Sequence, residues 1–93
     1  MYTTSRYAST GTRELARSLA KENGEEYLSR GKKTIEQLAQ LARKKGESQI
    51  KIVEEKEGNP SIIATLLIDE LGHWKWSDKG PIEIKKGIAR DSQ

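Results

Sequence analysis

The sequence contains no cysteine and a single histidine, and both shortages limit its chemistry. Without cysteine the chain forms no disulfide and no thiolate metal site, which fits a reducing compartment. Its longest mainly apolar stretch, residues 62–68, is far too short to cross a bilayer. The first residues also lack the long apolar segment of a secretory signal. We therefore expect a cytoplasmic protein with no cofactor and no membrane partner.

The usual signatures of catalysis are also missing. We find no nucleophile–base pair, no metal-ligand cluster and no nucleotide-binding loop in the sequence. His73 has no second histidine or cysteine to join it, so we interpret it as a surface residue. Glu54, Glu55 and Glu57 are close together but alternate across a strand end, which leaves a weak metal-dependent nuclease as a minor alternative. We predict a binding protein and not an enzyme, with no small-molecule substrate.

Positive charge is concentrated in the first third of the chain. The whole sequence has a formal net charge of +3. Residues 1–33 contain seven Lys or Arg against four Asp or Glu, so this part alone has a net charge of +3. A local positive field attracts polyanions. The alternative is an ordinary solvated basic face.

The apolar pattern predicts a single α/β domain over residues 1–93, with a core at 1–79 and an edge strand or flexible tail at 80–93. The predicted order is βαβαβββ, a mixed sheet made by two right-handed crossovers and a meander. The predicted helices are Thr10–Asn23 and Thr34–Lys45. The predicted strands are Tyr2–Ser5, Glu26–Leu28, Gln49–Glu55, Ser61–Asp69 and His73–Ser77, with Pro81–Lys85 as a possible edge strand.

Two loops combine basic residues with features that suit an anionic ligand. In the first, Arg6 and Arg13 flank the start of the first helix, whose unpaired N–H groups and dipole favour phosphate. In the second, residues 29–33, lysines and an arginine surround Gly31, which permits close approach of the backbone. The alternatives are a simple helix cap and a tight turn. Both loops would leave the C-terminal ends of parallel strands, so we expect them to share one edge of the sheet.

Three aromatic side chains are open to two interpretations each. Tyr7 lies beside the arginines and would either stack on an unpaired base or pack on the first helix. Trp74 and Trp76 share one face of a predicted strand. They would belong to the core or sheet cover, or, if exposed, to a partner-binding patch.

Three segments together resemble the Brix domain, found in ribosome-biogenesis proteins of archaea and eukaryotes. They are the opening Thr3–Arg13, the Arg-Gly-Lys loop in Tyr27–Lys33, and the Gly-Asn-Pro turn in Glu54–Pro60. Brix domains consist of two similar halves, each resembling the anticodon-binding domain of one class of aminoacyl-tRNA synthetases. This chain resembles only the N-terminal half, and it has Tyr7-Ala8 where a basic residue and proline are usual.

The resemblance implies an α/β fold and a non-catalytic role in ribosome biogenesis, with ribosomal RNA or a pre-ribosomal particle as the partner. The predicted RNA contacts are Arg6, Ser9, Thr10, Thr12, Arg13, Arg30, Gly31, Lys32 and Lys33. One alternative is a protein-interaction module that docks on a ribosome-assembly factor through an open sheet edge. Another is a homodimer, or a pair with a separate partner, that rebuilds the two-half surface.

Overall fold

The structure, a computed structural model, describes residues 1–81, which form a mixed sheet and two helices. The elements are β1 (Tyr2–Thr4), α1 (Thr10–Glu22), α2 (Ile35–Lys44), β2 (Gln49–Lys56), β3 (Asn59–Ile68) and β4 (Trp74–Pro81). The strand order is β1-β2-β3-β4, with β1 parallel to β2 and the other neighbours antiparallel. The predicted α/β class is therefore confirmed. The predicted edge strand Pro81–Lys85 lies outside the described residues except for Pro81, which ends β4.

The predicted strand Glu26–Leu28 is reduced to one parallel bridge between Tyr27 and Tyr2. Two backbone bonds hold it: the Tyr2 N–H donates to the Glu26 carbonyl at 2.9 Å, and the Leu28 N–H donates to the Tyr2 carbonyl at 2.8 Å. Pairing does not continue beyond this bridge, and the chain turns at residues 31–32 before α2. The predicted parallel direction is nevertheless correct, so β1 has a parallel neighbour on each side.

The two helices lie on opposite faces of the sheet. Leu38 and other buried residues of α2 pack on one face, in a cluster with Ile50 and Ile52 of β2. Tyr2 is paired with Lys51, so its side chain lies on the other face. There the Asn23 amide at the end of α1 donates to the Tyr2 hydroxyl at 3.2 Å. The chain crosses through α1 from β1 to the bridge at Tyr27, and then back through α2 to β2 on the other side of β1. Two right-handed crossovers that run in opposite directions place their helices on opposite faces of the sheet.

Side-chain caps fix where both helices begin. The Ser9 hydroxyl accepts from the Thr12 N–H, and α1 begins at Thr10. At α2, Thr34 and Gln37 form a capping box, with bonds of 3.2 and 2.9 Å. The caps therefore fix the residue at which the loop before each helix ends.

β3 is an inner strand of the sheet, since it pairs with both β2 and β4. Trp74 and Trp76 of β4 pair with Ile68 and Leu66, which places both indoles on the α2 face. Their rings make an edge-to-face contact at 6.3 Å between centroids. They are 38% and 41% exposed, so they cover the sheet margin without being enclosed.

Candidate nucleic-acid interface

The two basic loops meet at one rim of the sheet, as the parallel pairing predicts. Residues 5–9 follow β1, and residues 29–33 follow the bridge at Tyr27. Between them lies a cleft of about 280 Å³, here called the basic cleft. Its lining residues are Thr4, Ser5, Tyr7, Ala8, Arg13, Ser29, Arg30, Gly31 and Lys32. The structure thus brings side chains from both predicted loops to one concave surface.

Arg30 is the structural link between the two loops. Its side chain is almost buried, with the residue 7% exposed. One terminal nitrogen donates to the Thr4 carbonyl at 2.8 Å, and Nε donates to the Lys33 carbonyl at 2.7 Å. Burial, followed by repulsion from Arg6, lowers the pKa of Arg30, while Glu54 acts in the opposite direction. Arg30 thus joins the two loops, since it bonds to a carbonyl at the end of β1 and to one in residues 29–33.

Four other predicted cationic contacts keep more of their surface in solvent. Arg6, Arg13 and Lys32 are exposed, and Lys33 is half-buried. The Arg13 guanidinium donates to the Thr10 hydroxyl at 3.1 Å, and the Lys33 ammonium donates to the Ser29 carbonyl at 3.0 Å. Within residues 1–81, none of these four side chains forms an ion pair. Their charge is therefore available to an anion in or beside the cleft.

A carboxylate already lies against the start of α1. Glu55 of β2 accepts from the Ser9 N–H at 2.6 Å and from the Thr12 hydroxyl at 2.5 Å. The hydroxyls of Ser9 and Thr12, with the Ser9 N–H, hold the pKa of Glu55 below its ordinary value. The Ser9 hydroxyl oxygen also lies 3.3 Å from the Gly58 carbonyl, which brings the β2–β3 turn to the same place. Thr12 is fully buried, so these predicted contact residues have partners inside the protein.

Sequence reasoning missed the role of Glu55, because the strand register that places it is not visible in the sequence. Thr4 pairs in parallel with Val53, so the residues just beyond β1 and the end of β2 must lie side by side. An acid two residues after Val53 is thereby brought to the helix that follows β1. The helix dipole and capping hydroxyls favour a carboxylate there.

Among residues 1–81, two residues other than glycine have left-handed backbone angles, and both lie in loops at this rim. They are Tyr7 with φ of 60° and Glu57 with φ of 54°. Tyr7 is 73% exposed, so the alternative in which it packs on the first helix is wrong. The Arg6 guanidinium lies 5.6 Å from the centre of its ring. Gly31 is also left-handed at φ of 55°, as a tight turn requires.

One other cleft of the described surface has a mixed charge. A cleft of about 400 Å³ beside the end of α2 mixes Arg43 and Lys44 with Glu47, Asp69 and Glu70. Its positive charge is therefore offset locally. Within the described residues, no group of three or more His, Cys, Asp or Glu side chains is arranged to hold a metal ion. Neither of the two described helices has the length and apolar character of a membrane span.

Solved structures support the resemblance that the motifs indicate. The crystal structure of Mil, an archaeal Imp4-like protein, matches with a TM-score of 0.65 and 33% identity, covering 78% of this chain and 45% of Mil. The crystal structure of a probable ribosomal biogenesis protein from Aeropyrum pernix K1 matches with a TM-score of 0.78 and 27% identity, covering 88% of this chain and 46% of that one.

The chain thus spans less than half the length of either structure. No family model matches it, and no curated protein matches it in sequence. Motifs and fold nevertheless agree, and the resemblance of this chain to the Brix family of ribosome-biogenesis proteins is confirmed.

Proposed function

We propose that this chain is a non-catalytic, cytoplasmic factor of ribosome biogenesis that binds ribosomal RNA through the phosphate backbone. The observation that carries the proposal is the meeting of two basic loops at the basic cleft. Its structural neighbours support the ribosomal setting, since one is a probable ribosomal biogenesis protein. A cleft that gathers cations from both walls suits a polyanion better than a small neutral ligand.

The predicted contacts divide into two groups in this proposal. Arg6, Arg13, Lys32 and Lys33 neutralise phosphates directly, because their charged ends reach solvent beside the cleft. Arg30, Ser9 and Thr12 shape the cleft through their internal hydrogen bonds. Thr10 and Gly31 are exposed, and Gly31 also lines the cleft. Glu55 does not line the cleft, so it leaves the cationic walls open to RNA.

Charge removal on opposite walls of the cleft tests the proposal. Arg13→Ala and Lys32→Ala should each weaken binding of a single-stranded ribosomal RNA fragment, measured by fluorescence anisotropy at low salt. Each should also make the slope of log affinity against log salt shallower by about 0.7, the value of one phosphate contact on a single strand. Both side chains are exposed, so the melting temperature should change little.

Lys21→Ala is the matched control. Lys21 is also exposed, and it lies in the last turn of α1, eight residues from Arg13 and about 12 Å along the helix axis. The Lys21→Ala substitution removes one positive charge, as Arg13→Ala does, but at a position outside the cleft. If Lys21→Ala weakens binding as much as Arg13→Ala does, the RNA is attracted by net charge alone and the proposed site is wrong.

A second candidate function is a protein-interaction module that docks through the β4 side of the sheet. The observation that favours it is the partly exposed pair Trp74 and Trp76. The partner would be a ribosome-assembly factor, or a second copy that supplies the half of the neighbours' length that this chain does not span. An apolar contact of that kind should persist as salt rises, whereas phosphate contacts should weaken steeply.

A further inference from the structure

The most unusual side chain at the basic cleft is Tyr7. It lines the cleft, yet it is 73% exposed, which is high for a large aromatic residue. Its backbone is left-handed, with φ of 60°, a conformation that is unfavourable for a residue with a Cβ atom. Neither burial nor local backbone preference explains a tyrosine here, since glycine would suit the turn better.

The surroundings of the Tyr7 ring match those of a nucleobase stacking surface. The Arg6 guanidinium lies 5.6 Å from the ring centre, and Arg13 and Lys32 line the cleft beside it. An aromatic ring next to a cationic track is the arrangement by which proteins bind single strands, with phosphates on the cations and a base on the ring. The positions of Glu55, Ser9 and Gly58 fix the segment that follows Tyr7, so the ring is presented from a fastened loop.

We infer that Tyr7 is a stacking site for an unpaired base of the bound RNA. The inference rests on the proposed function and narrows it to RNA that offers single-stranded nucleotides, such as a loop, bulge or end. Phosphate contacts alone do not select such RNA over a duplex, because a duplex presents phosphates as well. An exposed aromatic ring does distinguish single-stranded RNA from a duplex. A base in a duplex is already stacked on its neighbours, so it is not free to stack on the ring.

The test compares Tyr7→Gly with Tyr7→Phe in the full chain. Glycine removes the ring and suits the left-handed backbone, so Tyr7→Gly should melt no lower than the wild-type protein. Phenylalanine keeps the stacking surface and should bind as the wild type does. The probes are RNA strands of about ten nucleotides, each with 2-aminopurine at one position, together with abasic strands and a duplex of equal length.

We expect Tyr7→Gly to weaken binding of the single strand by roughly tenfold, the effect of losing one stacked base. It should also abolish the quenching of 2-aminopurine at the position that stacks in the wild-type complex. Binding of the abasic strand and of the duplex should be unchanged, since their phosphates remain.

The failure of this inference differs from the failure of the proposed function. If Tyr7→Gly binds the single strand as tightly as wild type, and Arg13→Ala still weakens it, RNA binding stands and the stacking site is wrong. If Tyr7→Gly weakens binding of the abasic strand as much as binding of the complete single strand, the ring affects binding through the structure of the loop. The inference is then also wrong. If wild-type protein binds no RNA even at low salt, both proposals fall together.

Discussion

The Arg30 side chain connects the two basic loops through its hydrogen bonds. It is almost buried and donates to the carbonyl of Thr4, at the end of β1, and to that of Lys33, in the loop of residues 29–33. Arginine suits this position because its planar group offers several donors in fixed directions. A lysine could supply only a single charged nitrogen. At the residue scale, therefore, Arg30 is expected to matter first for structure.

The prediction is that Arg30→Ala lowers the free energy of unfolding by about 2–3 kcal/mol, because two carbonyls lose a charged donor and a buried volume is emptied. Urea denaturation followed by circular dichroism measures it. Arg6→Ala is the control, since Arg6 is exposed, and it should stay within about 0.5 kcal/mol of the wild type. Equal stabilities of the two variants would contradict the structural role of Arg30.

At the scale of elements, Glu55 fastens the end of β2 to the beginning of α1. Its hydrogen bonds lower its pKa, so the ionised form is favoured in the native state. The stabilisation is fully present above the pKa of the unfolded chain, about 4.3, and is lost as pH falls through the lower native pKa. We predict that stability falls between about pH 5 and pH 3 more steeply in the wild type than in Glu55→Gln.

Urea denaturation at several pH values measures this difference. Asp69, whose pKa is also lowered, chiefly by the His73 N–H, remains in both proteins and contributes equally to each. Thr12→Val is a matched variant that removes one donor to Glu55 and should flatten the acid dependence in part. If the wild type and Glu55→Gln lose stability in parallel, the carboxylate does not fasten α1.

The same elements show how far the sequence predicts this molecule. Thr34 and Gln37 form a local capping signal, so the start of α2 is predictable from neighbouring residues alone. The meeting of the two basic loops follows from parallel pairing and is also predictable. The position of Glu55 depends on pairing between segments 46 residues apart, which no local pattern encodes. The burial of Arg30 runs against the usual exposure of charged loop residues and was missed for that reason.

On the scale of the whole molecule, the two candidate surfaces lie at opposite ends of the sheet. The basic cleft lies beside β1, and the tryptophan pair lies on β4, three strands away and roughly 14 Å across the sheet. Their rims are opposite too, because the cleft follows the end of β1 while Trp74 begins β4, which runs in the same direction. RNA and a protein partner could therefore bind at the same time.

This separation predicts that the two surfaces can be disabled independently. Replacing both Trp74 and Trp76 with threonine, which suits a strand, should leave RNA affinity and its salt slope unchanged. With four cations at the cleft, that slope should be about −3 on single-stranded RNA. Conversely, Arg13→Ala with Lys32→Ala should halve the slope and leave any self-association unchanged.

Anisotropy titrations over a salt series and sedimentation velocity measure the two properties on the same samples. Circular dichroism melting checks that the double tryptophan variant is folded before its binding is interpreted. If that folded variant loses RNA affinity, or if the cleft variant changes self-association, the two surfaces act as one. One RNA molecule would then contact both the basic cleft beside β1 and the tryptophan pair on β4, three strands away.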